Sequence, residues 1–244
     1  MNILGFNCFG HDSSATLLID GQPHMAVEEE RLNRKKHFGG FPDQSIEACL
    51  KNAGLGIADL DHIGYSWDPK ITYSKMPVFL MQNFTKTFKL LKERREWSME
   101  ENLGMLNYLP KIRALPNFFS EMAKKEGRNP KFKFHFLEHH TCHAASAFFC
   151  SPFEEAAILT VDGAGEWATA TLAKGHQNKI EKIAQIDTPH SLGAFYQAIS
   201  RHLGFKLIEG PGKLMGLSSY GSSKTETGRE LLKLIKFNDD GTFK

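Results

Sequence analysis

An α/β fold built on a duplicated hairpin sheet is what this sequence predicts, and three observations predict it. Ile3 to Gln22, ILGFNCFGHDSSATLLIDGQ, lies without a gap on Ile158 to Gln177, ILTVDGAGEWATATLAKGHQ, at a constant offset of 155, with seven of the twenty positions identical. Each copy joins β-rich runs through glycine-bearing turns. Between and after the copies, apolar residues recur at helical spacing, so helices are interleaved with the strands.

Taken in order, the first copy reads as a strand ending at Asn7, the turn Gly10-His11-Asp12-Ser13-Ser14, a second strand, and the turn Asp20-Gly21 into a third. Ser45 to Asn52 is predicted helical, Ile63 to Trp67 a strand and Phe132 to Phe136 another short one. Lys70 to Arg128 departs from this scheme, with 12 Lys+Arg against 6 Glu and with Phe79, Phe84, Phe88 and Leu91 at amphipathic spacing. It reads as a helical insertion over about 70–130, either a cover with a solvated basic face or a surface for an acceptor or partner. Glu138 to Phe149 has helical, alanine-rich character. The second copy then ends its first strand at Asp162, where the first copy has Asn7, and turns at Gly163-Ala164-Gly165 and Lys174-Gly175. Helices are expected at Leu192 to Leu203, around Lys213 to Ser218, and at Thr225 to Phe237. The expected division is 1–153 and 154–244. The second half lacks the elements that followed the first, so the whole protein is expected to continue past Lys244.

Composition narrows the partners. At 244 residues and 41% hydrophobic, the chain can bury a substantial core. A formal charge of +2 argues against a surface devoted as a whole to nucleic acid or anionic lipid. Cys8, Cys49, Cys142 and Cys150 show no CxxC spacing, which favours a reducing cytoplasm over a disulfide framework. The amino terminus has no basic leader, and no stretch approaches the roughly 20 apolar residues of a membrane span.

Within Glu138 to Phe149, His139 and His143 stand four residues apart on one helical face and can deliver two imidazoles to one divalent ion. His140 points about 100° away, although His140 with His143 is a weaker alternative. An HxxxH pair alone is also found in ordinary packing helices. Asp162 at its strand end strengthens the metal reading, because two histidines and a carboxylate make a facial set with open positions. The small residues of the turns, Gly10 and Ser13 in one copy and Gly163 and Gly165 in the other, could let phosphates approach backbone N–H groups. Gly212 and Lys213, leading into a helix, could do the same. His11 stands where the other copy has Glu166, and is the candidate for acid, base or charge-stabilising work.

Six blocks now stand in order: GHDSSA at Gly10 to Ala15, EEERLNRKKHFGGFP at Glu28 to Pro42, HHTCHAASAFFCSPF at His139 to Phe153, LTVDGAGEW at Leu159 to Trp167, PHSLGAFY at Pro189 to Tyr196 and GKLMGLSSYG at Gly212 to Gly221. Over nearly the whole chain they resemble the amino-terminal domain of the nodulation-protein U, tobramycin and cephalosporin-type carbamoyltransferases. The resemblance implies a duplicated actin/sugar-kinase/heat-shock-ATPase fold, akin to the threonylcarbamoyl-transferring tRNA-modification proteins. It implies transfer of a carbamoyl group from carbamoyl phosphate, through an ATP-derived carbamoyl-adenylate made by a separate carboxy-terminal domain, to a small-molecule hydroxyl. By the same resemblance, His139, His143 and Asp162 hold iron(II), His11 takes part in transfer, and Arg31, Lys36 and His37 lie near the acceptor or the anionic donor. Competing readings are a phosphotransferase of the same fold, which leaves HxxxH unexplained, a metal- or nucleotide-binding module without turnover, and a tRNA-modifying role for the basic insertion.

Overall fold

Leu4 and Phe6 alternate with less buried neighbours along β1 (Asn2–Asn7), the period of a strand with one face in a core. The computed structural model describes residues 1–82, 107–206 and 208–243. β2 (Ser14–Ile19) and β3 (Gln22–Glu28) follow β1 as antiparallel neighbours, while β4 (His62–Tyr65) and β5 (Lys133–Phe136) join in parallel on its other side. The sheet order is β3-β2-β1-β4-β5. Phe6 lies at the centre of the core, its ring 5.2 Å from Tyr65, 5.1 Å from Phe119 and 6.0 Å from Phe41.

Helices α1 (Glu29–Asn33) and α2 (Asp43–Ala53) follow β3. Pro42 precedes α2 and offers it no side-chain cap. Buried Glu29 caps it instead: its carboxylate accepts from Ser45 N–H at 2.7 Å, Gln44 N–H at 3.2 Å and the Ser45 hydroxyl at 2.7 Å. α3 (Pro69–Gln82) and α4 (Leu109–Lys125) lie in the basic region, and α4 buries Ile112, Leu115, Phe119 and Ala123. Of the aromatic stripe expected there, Phe79 lies on α3, whereas Phe84, Phe88 and Leu91 fall outside the described residues.

The chain divides into two compact units, Met1–Glu138 and His139–Lys244. The second begins with α5 (His139–Phe148), which packs on the antiparallel sheet β6 (Glu155–Val161), β7 (Ala168–His176) and β8 (Lys179–Asp187), so the helix goes with the sheet that follows it. α6 (Leu192–His202), α7 (Gly210–Ser218) and α8 (Glu226–Leu232) complete it. The last is shorter than expected, because Phe237 pairs back on Phe243 in an isolated antiparallel bridge. No helix among the described residues is long and apolar enough to cross a membrane.

The repeat is visible in hydrogen-bond register. Leu4↔Leu17, Gly5↔Thr16 and Phe6↔Ala15 in β1/β2 correspond, position for position, to Leu159↔Leu172, Thr160↔Thr171 and Val161↔Ala170 in β6/β7. Each second strand then shifts register at the same step, Leu17/Leu18 and Leu172/Ala173. A register slip would turn the whole strand over, so this agreement is a stronger sign of duplication than residue identity. One turn differs from expectation. The second copy turns at Gln177-Asn178 instead of Lys174-Gly175, since β7 stays paired with β8 as far as His176↔Lys179. Gly175 serves packing there: a Cβ on it would lie 2.7 Å from the Phe148 ring.

The copies bury opposite faces. Leu4, Phe6 and Leu17 are 0, 5 and 0% exposed, whereas their equivalents Leu159, Val161 and Leu172 are 70, 49 and 40% exposed. α5 covers the other side, where Ile158 and Ala173 pack with Ala144 and Phe148.

Replacing Glu29 with Ala should cost about 2–3 kcal/mol, because it leaves buried donors at the start of α2 without their charged acceptor. Urea denaturation of the two chains measures it. A loss within about 0.5 kcal/mol, the scale of an ordinary surface substitution, would show that the cap is dispensable.

Candidate metal centre

α5 receives its amino-terminal cap from the turn between β6 and β7. Both oxygens of buried Glu166 lie 3.1 Å from the His139 N–H, placing negative charge at the helix start. Close approach of the turn depends on Gly165, where a Cβ would stand 3.0 Å from His140 Cδ2 and 3.1 Å from His139 Cβ. The end of β6 is braced from the other direction by the start of α6. There Ser191 Oγ accepts the Ala194 N–H at 2.9 Å and donates to Gly163 O at 2.7 Å. A Cβ on Gly193 would come within 2.5 Å of the Asp162 carbonyl, so only glycine fits.

These supports bring His139 Nε2 to 2.8 Å from Asp162 Oδ2, His143 Nε2 to 3.4 Å from the same oxygen, and the two Nε2 atoms to 3.0 Å from each other. Hydrogen bonding alone serves this triangle poorly, since both rings converge on one oxygen and the two nitrogens face each other. A cation satisfies all three. Ligands about 2.1 Å from a central ion stand about 3.0 Å apart in octahedral and about 3.4 Å apart in tetrahedral geometry, close to the edges observed. The side chains of His139, Asp162 and His143 are 25, 39 and 50% exposed, so solvent or a ligand can reach the open positions.

Electrostatics tie the three together. The His139 hydrogen bond, and then that of His143, hold the Asp162 carboxyl far below the usual carboxylate range despite burial. The Asp162 hydrogen bond raises His143 against an opposing effect of burial. His140 is different. Burial lowers its pKa, with a further contribution from His139, and both its nitrogens are occupied. Nε2 lies 3.0 Å from Ala168 O, to which it can only donate, so neutral Nδ1 accepts from Thr160 Oγ1 at 2.7 Å.

The other candidate residues occupy varied settings. Asn7, the counterpart of Asp162, closes its own turn, its Oδ1 accepting from Ser14 N–H and Oγ at 2.8 Å each. The Gly163 N–H donates to Asp162 Oδ1 at 2.6 Å and the Gly165 N–H to Ala168 O at 2.8 Å, so both amides serve the turn itself. Buried Ser13 donates from Oγ to Gly40 O at 2.7 Å, stitching the Gly10 turn to the segment around Gly39. Gly212 and Lys213 lie within α7, which starts at Gly210 and so takes in the glycines expected ahead of it; Lys213 pairs with Glu209 at 2.7 Å. Arg31 is ion-paired with Glu28 at 3.4 Å and Glu30 at 3.7 Å, and Lys36 is exposed. His11 and His37 both meet Asp12, at 2.7 and 2.9 Å. Sequence reasoning missed Glu166 as a cap and Asp12 as a hub. A signal existed for Asp12 in its place between His11 and Ser13, but none for its reach to His37.

A family model described as the carbamoyltransferase N-terminus matches residues 2–244. The chain belongs to that family. The Synechocystis protein sll1178 is 38% identical over all 244 residues, and this chain spans 38% of its length. Nodulation protein NolNO of Sinorhizobium fredii is 34% identical over 218 residues, 88% of this chain and 28% of that protein. The chain therefore spans well under half the length of these relatives. YeaZ from Pseudomonas aeruginosa overlays 78% of this chain and 69% of its own at a TM-score of 0.39 and 13% identity, too distant to bear on the fold.

In metal-free protein, His143 should titrate above the ordinary histidine value, and Asp162→Asn should bring it back; NMR titration of the ring measures both. Stability contributed by the raised histidine is fully present below about pH 6.5 and is lost as pH rises through its folded value. That contributed by depressed Asp162 is lost only as pH falls through a value below the carboxylate range. Metal-free melting temperature should thus decline from pH 6 to pH 9 more in wild type than in Asp162→Asn. Equal slopes would count against the coupling.

Proposed function

We propose that this chain is the metal- and nucleotide-binding amino-terminal part of an ATP-dependent O-carbamoyltransferase. The observation that carries the reading is the triangle of His139, His143 and Asp162, whose edges suit one divalent ion. Two imidazoles, one carboxylate and open positions favour iron(II). A bound ion would supply Lewis-acid polarisation of a carbamoyl oxygen or neutralise an adenylate phosphate. The chain's own residues do the rest. Asp162 and the two histidines fix the charge distribution, Glu166 holds the helix that carries the histidines, and His140 stays neutral and structural.

In the transfer step, the acceptor hydroxyl gives its proton to His11, its oxygen bonds to the carbamoyl carbon, and the bond from that carbon to the adenylate oxygen breaks, releasing AMP. Arg31, Lys36 and His37 attract the anionic donor or orient the acceptor. The Gly163 and Gly165 amides and the Ser13 hydroxyl are already engaged, so nucleotide phosphate falls to Lys213, whose ammonium can exchange Glu209 for the anion. The adenylate comes from carbamoyl phosphate and ATP on a separate carboxy-terminal domain of the whole protein. Four cysteines, none of them in a disulfide, agree with a cytoplasmic setting.

Calorimetric titration with iron(II) under anaerobic conditions, or with a divalent surrogate, should show one site on the wild-type chain. His139→Ala and His143→Ala should each weaken it by about tenfold or more, equivalent to ~1.4 kcal/mol. His140→Ala should change affinity much less while lowering stability. Equal losses from all three substitutions, or none, would return α5 to an ordinary packing role.

The 244-residue chain alone should not convert carbamoyl phosphate, ATP and an acceptor to a carbamoylated product. Sustained turnover followed by AMP release would overturn the assignment of adenylate formation to a separate domain.

A further inference from the structure

Asp12 engages two imidazoles in a way that differs from Asp162. Its Oδ2 lies 2.7 Å from His11 Nδ1 and its Oδ1 lies 2.9 Å from His37 Nδ1, so each oxygen serves one ring. At Asp162 both rings share one oxygen and their nitrogens face each other; at Asp12 donors and acceptors match one to one. Asp12, Glu30 and His37 do offer three ligand atoms within 4.8 Å of one another. Glu30, however, already accepts the His37 backbone N–H at 2.9 Å, and Asp12 is matched on both oxygens. Hydrogen bonding accounts for this cluster without an ion.

We infer that Asp12 is a positioning residue that locks His11 and His37 in the same tautomer, protonated at Nδ1, and thereby presents two Nε2 lone pairs to bound ligands. An ionised carboxylate only accepts, so each facing Nδ1 must carry the proton, and a neutral imidazole then has a bare Nε2. Asp12 is held ionised: burial opposes its charge, but the hydrogen bonds from His11 and His37 prevail and lower its pKa. The two Nε2 atoms have different surroundings. His11 is 64% exposed, open to an incoming hydroxyl, while His37 Nε2 is buried and has no hydrogen-bond partner among the described residues. A buried acceptor with nothing to accept fits an N–H or O–H donor on a ligand, such as a carbamoyl amide.

The clamp is built into the backbone. Asp12 and His37 both adopt positive φ, 53° and 54°, where non-glycine residues are strained. Their loops are stitched by Phe9 N–H to Gly39 O and Ser13 N–H to Phe38 O, each 2.8 Å. A Cβ on Gly39 would lie 2.0 Å from Gly10 O, so the loops meet only because that residue is glycine. The part given to His11 Nε2, taking the acceptor's proton while Asp12 stabilises the resulting imidazolium, rests on the carbamoyl-transfer reading; the tautomers do not.

Long-range 15N–1H correlation spectra of the 244-residue chain at about pH 8 report each tautomer directly. Wild type should show Nδ1–H with bare Nε2 at both His11 and His37. Asp12→Gly keeps the positive φ accessible, and there His11 should revert to the Nε2-protonated form that free histidine favours. Asp12→Asn, also tolerant of that backbone, offers one oxygen and one amide, so only one of the two rings should keep Nδ1–H. An Nε2-protonated His11 or His37 in wild type, or tautomers unmoved in both variants, would overturn the inference. Failure of the chain to transfer from supplied carbamoyl-adenylate, with the tautomers as expected, would leave it standing and count against the reaction alone.

Discussion

Three basic or anionic groups crowd one point at Asp162, and the second unit is arranged around keeping them there. Two imidazole nitrogens 3.0 Å apart with one shared carboxylate oxygen would drift apart on flexible supports. They do not, because each support is itself fixed. Glu166 ties the start of α5 to the turn, and Gly193 sets α6 against the Asp162 backbone. Thr171, Thr160 and His140 form a buried hydrogen-bonded chain that holds the helix on the sheet. Removing the central convergence would leave a capped helix on a three-stranded sheet with no reason for such close-fitting glycines.

The duplication explains how one scaffold came to hold two different clusters. Register and bulge position are kept, so equivalent residues occupy equivalent points, yet the chemistry at those points has diverged. Asn7 satisfies its own turn; Asp162 reaches outward to α5. His11 stands exposed on Asp12; Glu166 is buried as a helix cap. Strand pairing is set by backbone geometry and tolerates such exchanges, because these residues lie at or beyond the last paired positions.

Much of this was legible in the residues. The offset of 155, the i, i+4 spacing of His139 and His143, and the strand-end aspartate are local patterns, and local patterns survive into structure where period and turn chemistry agree. The helix over Asp43–Ala53 likewise follows from periodicity and from Gly54, whose φ of 66° ends it. What could not be read are the long-range partners. Glu29 capping Ser45 and Asp12 reaching His37 link residues 16 and 25 apart. The amides of Gly163 and Gly165 looked available for phosphate in sequence, but a turn must first satisfy its own donors. The position of the turn after β7 was missed because Lys174-Gly175 has turn-forming composition, while Phe148 needs the bare Gly175 face for packing.

The uncovered side of the second sheet has a practical consequence for anyone handling this chain by itself. Leu159, Val161 and Leu172 are exposed beside Leu192 and the Phe237–Phe243 turn, and β6 has no strand on its outer edge among the described residues. An apolar face beside an open row of backbone donors and acceptors is a template on which further chains can add. A charge placed at Leu159 or Val161 would interrupt that face and lower self-association of the chain.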